Sequence, residues 1–109
     1  MTTYRIEHYC TADGTDIFGE WFDRLRDQQA QQRIAVRIDR LAIGLFGDAK
    51  ALREGVSELR IDYGPGYRVY CGVASRAVVL LLCGGDKRTQ RTDIARAVAY
   101  WREFQGRRQ

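Results

Sequence analysis

Residues 55–93 hold three strand-like segments in a row, and this stretch constrains the fold more than any other part of the chain. In the first, Leu59, Ile61 and Tyr63 share one parity, and Glu58, Arg60 and Asp62 share the other. In the second, Tyr67, Val69, Cys71 and Val73 form an apolar set, opposed by Arg68 and Tyr70. A period of two marks a strand with one face buried. Gly64-Pro65-Gly66 supplies the turn between them. Read as a three-residue loop, it pairs Tyr63 with Tyr67, Ile61 with Val69 and Leu59 with Cys71, which puts the apolar sets on one face. The other face then sets Asp62 opposite Arg68 and Arg60 opposite Tyr70. The third segment, residues 77–83, is apolar without a break, as expected of a central strand covered on both faces. Gly84, Gly85, Asp86 and Lys87 read as a strand-to-helix loop, where glycines let backbone approach a ligand or relieve a bend.

Upstream of this stretch, residues 4–9 alternate weakly and predict a strand, and residues 11–15 predict a turn. Asp16 is placed to cap a helix that carries Ile17, Phe18, Trp21, Phe22 and Leu25 on one face. After a polar break at residues 26–31, Ile34, Ile38, Leu41 and Leu45 mark a second helix, ending near Gly47. Residues 48–55 read as a loop. The last helix opens near Thr89 and carries Ile94, Ala97, Val98, Trp101 and Phe104 as a sheet-packing stripe, and residues 106–109 read as a frayed tail. The expected fold is α+β: a small, mainly antiparallel sheet in the order β-α-α-β-β-β-α with helices packed on it. At 109 residues the chain is expected to be a single domain, 1–109.

Composition narrows the function. The formal net charge is +4, with the cationic bias in the second half, which makes nucleic acid or an acidic protein a plausible partner class. No apolar run approaches a membrane span, and the N-terminus lacks a signal-peptide pattern, so a cytoplasmic protein with no membrane contact is expected. Cys10, Cys71 and Cys83 are odd in number and lack CxxC spacing, which suits reduced thiols. With His8 the single histidine, no metal site and no cofactor are expected.

The string ELRIDYGPGYRVYCGV followed by VVLLLCGGDKRTQRTDIARA resembles the RelE/ParE toxin superfamily, and within it the HigB-like branch of addiction module killer proteins. The GYR triad after the turn, the apolar strand and the G-G-D-K-x-x-Q loop carry the resemblance over residues 55–97, and the β-α-α start agrees with it. The resemblance implies a RelE-like fold and the toxin of a type II toxin–antitoxin pair. Members of this kind enter the ribosomal A site and cut mRNA there without a metal. A cognate antitoxin, in this branch often a helix-turn-helix protein, neutralises them.

Metal-free RNA cleavage can use the substrate's own 2′-OH to attack the adjacent phosphorus. The protein then holds the attacking and leaving oxygens in line and neutralises the charge that builds on phosphate. Arg68 matches the arginine of the family's GYR triad. Arg60 shares its face in the derived register, and Lys87 stands at the end of the next strand. These three are the expected catalytic residues, and together with Arg88 and Arg91 they are the expected RNA contacts. Lysine suits proton donation to the leaving group better than arginine, because its pKa is easier to shift. Better-known relatives place a tyrosine or histidine general base near the last helix. Here that region has no histidine, and Tyr100 lies far along the helix. Asp93, Gln90 and Tyr70 are the candidates.

Each candidate has a plain structural alternative. Arg60 and Arg68 can pair with Glu58 and Asp62 on an exposed sheet face, where such pairs contribute little. Lys87 and Arg88 can belong to a solvated loop, Gln90 to a first helical turn and Asp86 to a turn. Two other functions stay open at this level. One is a ParE-like inhibitor of DNA gyrase acting by protein contact, which needs no cationic cluster. The other is a non-enzymatic binding module or degenerate toxin.

Overall fold

In the computed structural model, which describes residues 3–107, the chain runs β1 (Arg5–His8), α1 (Ile17–Arg24), α2 (Gln28–Ala42), β2 (Ala49–Ala51), β3 (Val56–Ile61), β4 (Tyr67–Ser75), β5 (Val78–Asp86), a 3₁₀ turn (Lys87–Thr89) and α3 (Gln90–Arg107). Among the described residues the strands form a five-stranded sheet in the order β1-β5-β4-β3-β2. β1 lies parallel to β5, and the other pairs are antiparallel. The α+β class and the mainly antiparallel sheet are as expected, with β2 added to the predicted order. Ala49-Lys50-Ala51 is exposed throughout, so it has no apolar alternation to read. Its approach to β3 is fixed instead by Arg37, whose guanidinium donates to the carbonyls of Phe46, Asp48 and Arg60.

Two apolar layers cover the sheet, and β5 divides them. Val79 and Leu81 join Phe18, Ile34, Leu41, Leu59, Ile61, Val69 and Cys71 under α1 and α2. Leu80 and Leu82 join Val56, Tyr70, Cys83, Ala97, Val98 and Trp101 under α3. A strand buried on both faces cannot alternate, which is why residues 77–83 read as one apolar run. Asp16 caps α1 by accepting the Gly19 N–H at 2.9 Å, and Asp27 caps α2 through the N–H groups of Gln29 and Ala30. α2 stops at Ala42, earlier than Gly47. Gly44, at φ 84°, lets its own N–H reach the Leu41 carbonyl while the Leu45 N–H reaches that of Arg40. This double closure ends a helix at a left-handed glycine. Leu45 therefore lies past the helix and is 55% exposed, outside the stripe that its spacing suggested.

The hairpin register differs from the expected one by a slide of two residues. Ile61 pairs with Tyr67, Arg60 with Arg68, Leu59 with Val69 and Glu58 with Tyr70. Parity survives a slide of two, so each side chain keeps its predicted face. Tyr63 leaves the ladder because its hydroxyl bonds Asp27 and Gln29 on α2, and the Arg33 guanidinium lies 4.7 Å over its ring. The connection consequently covers residues 62–66. Arg60 now faces Arg68 directly, where the shorter loop would have set it against Tyr70.

Gly84 and Gly85 belong to β5, not to a loop. They point to opposite faces, and each gives its space to a neighbour. A Cβ on Gly84 would sit 2.3 Å from the Trp21 ring, and one on Gly85 would sit 1.8 Å from the Asp93 carboxylate. The pair therefore lets α1 and α3 approach the strand closely. Gly84→Ala is expected to destabilise the fold by about 1–3 kcal/mol through overpacking. Chemical denaturation measures this directly, and an unchanged midpoint would show that Trp21 has room to move. At the other end of α3, Gly106 and Arg107 are helical, not frayed. Arg107 donates to Glu103 and to the Cys10 carbonyl, with its guanidinium 5.3 Å over the Tyr9 ring. Arg108 and Gln109 lie outside the described residues.

Candidate active site

On the α3 face, β3, β4 and β5 set side chains in rows. Arg60, Arg68 and Gly85 lie across from one another, and Glu58, Tyr70 and Cys83 form the next row. Glu58 is fully buried. Its carboxylate accepts the Arg60 Nε at 3.0 Å, the Tyr70 hydroxyl at 3.1 Å and the Gln90 amide at 2.8 Å. Burial by itself would push this carboxyl up. The bonds from Gln90, Arg60 and Tyr70, with the charge of Arg68, outweigh burial and hold it below the usual carboxylate range. Burial first, and then the adjacent Glu58 charge, push the Tyr70 hydroxyl far up, so it stays protonated.

Arg68 is not on an open face. α3 covers this side of β4, and the residue is half-buried. Its Nε is buried and has no hydrogen-bond acceptor among the described residues. The nearby carboxylate, that of Glu58, already takes three donors. A buried N–H without an acceptor is costly, and structures that retain one call for a reason. Arg60 keeps about a third of its side chain exposed, 34%.

The remaining candidates fall around this cluster. Lys87 is exposed at the end of β5, beside the hairpin loop: a Cβ on Gly66 would lie 3.5 Å from that of Lys87. Arg88 is tied to Asp86 at 3.0 Å, so much of its charge is engaged locally, and Asp86 caps the 3₁₀ turn by accepting the Arg88 N–H. Gln90 opens α3 and turns inward to Glu58, whereas Arg91 turns to solvent. Asp93 is nearly buried at 5% exposure and stands over Gly85, in the Arg60–Arg68 row. It accepts the Thr89 hydroxyl, and Arg96 lies 3.9 Å away. The Cys71 thiol is pushed up to about 12 by burial, and Cys83 to about 12 by burial and then by the Asp93 charge, so neither is a nucleophile near neutral pH. Among the described residues, no three His, Cys, Asp or Glu side chains gather as a cation site would require.

Glu58 is the residue that sequence reasoning undervalued, reading it as a surface partner for Arg60. The available signal was its parity: Glu58, Arg60, Arg68 and Tyr70 share one sheet face. That α3 would close over that face was not visible in the alternation.

Two of the hollows that border these elements are rich in arginine. One of about 440 Å³ lies next to the cluster, lined by Arg53, Gln90, Arg91, Ile94 and Ala95. The other, about 530 Å³, lies across the sheet along α2, among Arg33, Arg37, Arg40 and Asp62. The larger one shares no residue with the Glu58 cluster.

The mixed five-stranded sheet, the helices on its two faces and the basic row beside a buried carboxylate together make a small α+β fold of RelE-like build. Residues 20–98 match the family model described as phage derived protein Gp49-like (DUF891), and the chain belongs to that family, which falls in the RelE-like addiction-module killer toxin group. An uncharacterized protein of Haemophilus influenzae (strain Rd) is 49% identical over 83 residues, covering 76% of this chain and 84% of that relative. No solved structure matches. Among the described residues, no helix is long and apolar enough to cross a membrane.

Proposed function

We propose that this chain is the toxin of a type II toxin–antitoxin pair, of the HigB-like kind, and that it cuts mRNA at the ribosome without a metal. The observation that carries the reading is the Arg68 Nε: buried, lacking an acceptor among the described residues, and set beside Arg60, whose own acceptor Glu58 already takes three donors. An oxyanion of a phosphodiester supplies the missing acceptor, and two guanidinium groups stabilise the charge that grows on phosphorus. Membership of the Gp49-like family supports the toxin class, and with it a cognate antitoxin as partner.

In this reading the 2′-oxygen bonds to the adjacent phosphorus as the bond from phosphorus to the 5′-oxygen breaks, leaving a 2′,3′-cyclic phosphate and a free 5′-hydroxyl. Asp93 takes the 2′-OH proton. Of the three candidate bases it is the one with a basic oxygen, since Gln90 is a neutral amide and Tyr70 stays protonated. Lys87 donates the proton to the departing 5′-oxygen. Arg60 and Arg68 hold the phosphate, while Glu58 and Gln90 keep Arg60 oriented.

The test is cleavage-site mapping on mRNA under translation in a purified system, with naked mRNA and Arg68→Ala in parallel. Cuts in codon register, absent from naked mRNA and from the variant, are expected. A wild-type chain that is toxic in cells yet makes no cuts would remove this reading and favour inhibition of gyrase by protein contact.

A further inference from the structure

We infer that the groove beside Gln90 is a second phosphate subsite, in which Arg53 and Arg91 hold a phosphodiester of the RNA strand next to the one being cut; the inference rests on the nuclease reading above. The groove is continuous with the cluster through a single side chain. Gln90 lines it and also reaches Glu58 at 2.8 Å. Its walls contain two guanidinium groups, one amide and the aliphatic Ile94 and Ala95, and no carboxylate. Two like charges facing one hollow repel each other, and an anion between them relieves that repulsion.

Both arginines are exposed, and among the described residues neither guanidinium makes a hydrogen bond or a contact ion pair. The obvious partner for Arg53 is its neighbour Glu54, but Glu54 is held by both arms of the Arg102 guanidinium. That fork has a second effect. Glu54 adopts φ 59°, which non-glycine residues seldom do, and Gly55 follows at φ 94° with Trp101 packed beneath it. The turn is thus held by α3 in a conformation that costs free energy, as turns at working sites often are. Arg53 stands immediately before this turn, on the groove wall.

The lining also indicates what is recognised. The two guanidinium groups are the charged donors of the walls, and the Gln90 amide N–H is already given to Glu58. Guanidinium groups over an aliphatic wall fit a phosphate with its sugar, and such contacts position a strand without selecting its sequence. Continuity with the cutting site favours RNA over an acidic protein segment.

Anisotropy of a 5′-labelled single-stranded RNA hexamer, titrated across salt concentrations, tests the subsite in wild type, in Arg53→Gln/Arg91→Gln and in Arg68→Ala. Each lost phosphate contact flattens the salt slope by about 0.7 for a single strand, so the paired variant should bind about tenfold more weakly with a slope reduced by about 1.4. Because both side chains are exposed and unpaired, its melting temperature should match wild type. Wild-type affinity and slope in the paired variant, alongside weakened binding by Arg68→Ala, would remove the subsite and leave the nuclease reading in place. Absence of hexamer binding by the wild type would remove the subsite, and the cleavage mapping on translated mRNA decides the nuclease reading separately. Equally tight binding of polyglutamate, lost in the same variant, would reassign the groove to an acidic protein.

Discussion

Glu58→Ala is expected to destabilise the fold by about 2–4 kcal/mol, because it removes a fully buried carboxylate shared by three donors and strands the groups that faced it. The Tyr70 hydroxyl loses its acceptor in a fully buried space, and the Gln90 amide and the Arg60 Nε lose theirs in a partly buried one. Each unsatisfied group adds its own desolvation penalty. Glu58→Gln preserves the shape and is expected to lose less, but its amide presents a donor toward one of the three existing donors. Both variants also remove the titration of this carboxyl, which separates them from wild type by pH. The folded chain holds the Glu58 carboxyl below its usual 4.5. The stabilisation from this group is therefore complete above that value and is lost as pH falls below it, toward the depressed folded value. Urea denaturation between pH 3 and pH 7 should show a shallower acid loss in Glu58→Gln than in wild type. Identical acid profiles would mean that the carboxylate is not engaged as the geometry has it.

Arg68→Ala is expected to reduce cleavage of translated mRNA by about 100- to 1000-fold, the usual effect of removing one preorganised donor from a developing oxyanion. Its effect on stability should be small by comparison. The Nε has no partner among the described residues, so its removal strands nothing, and Glu58 keeps its bond to Arg60. The half-buried stem adds a modest packing loss. Arg68→Lys discriminates further: it keeps the charge and loses the planar fork, so it should bind ribosomes nearly as wild type does and cut far more slowly. Undiminished cutting by Arg68→Ala would exclude the residue from the chemistry. A melting loss as large as that of Glu58→Ala would make it a structural residue.

The contrast between these two residues shows how far the alternation could be read. Parity placed Glu58, Arg60, Arg68 and Tyr70 on one sheet face, and that held through a register slide of two residues because the strand period is two. It could not show whether the face was wet or covered. That depended on α3, whose stripe of Ala97, Val98 and Trp101 packs over Tyr70 and Cys83 and turns a surface carboxylate into a buried hub. The slide has a similar cause: Tyr63 is drawn from the ladder by Asp27 and Gln29, residues far away in the chain.

The sequence by itself determined the elements governed by neighbours along the chain: the Asp16 cap, the apolar faces of the helices, the alternating hairpin and the unbroken run of β5. Local geometry and hydrophobic periodicity suffice for these, because they require no knowledge of what packs above. The tertiary structure decided the rest. It made Gly84 and Gly85 seats for Trp21 and Asp93, recruited an edge strand with no pattern of its own, and gathered Glu58 and Arg60 of β3, Arg68 of β4 and Gln90 of α3 into one cluster. Those outcomes rest on close packing and on the cost of burying a charge unpaired, and both depend on the whole fold.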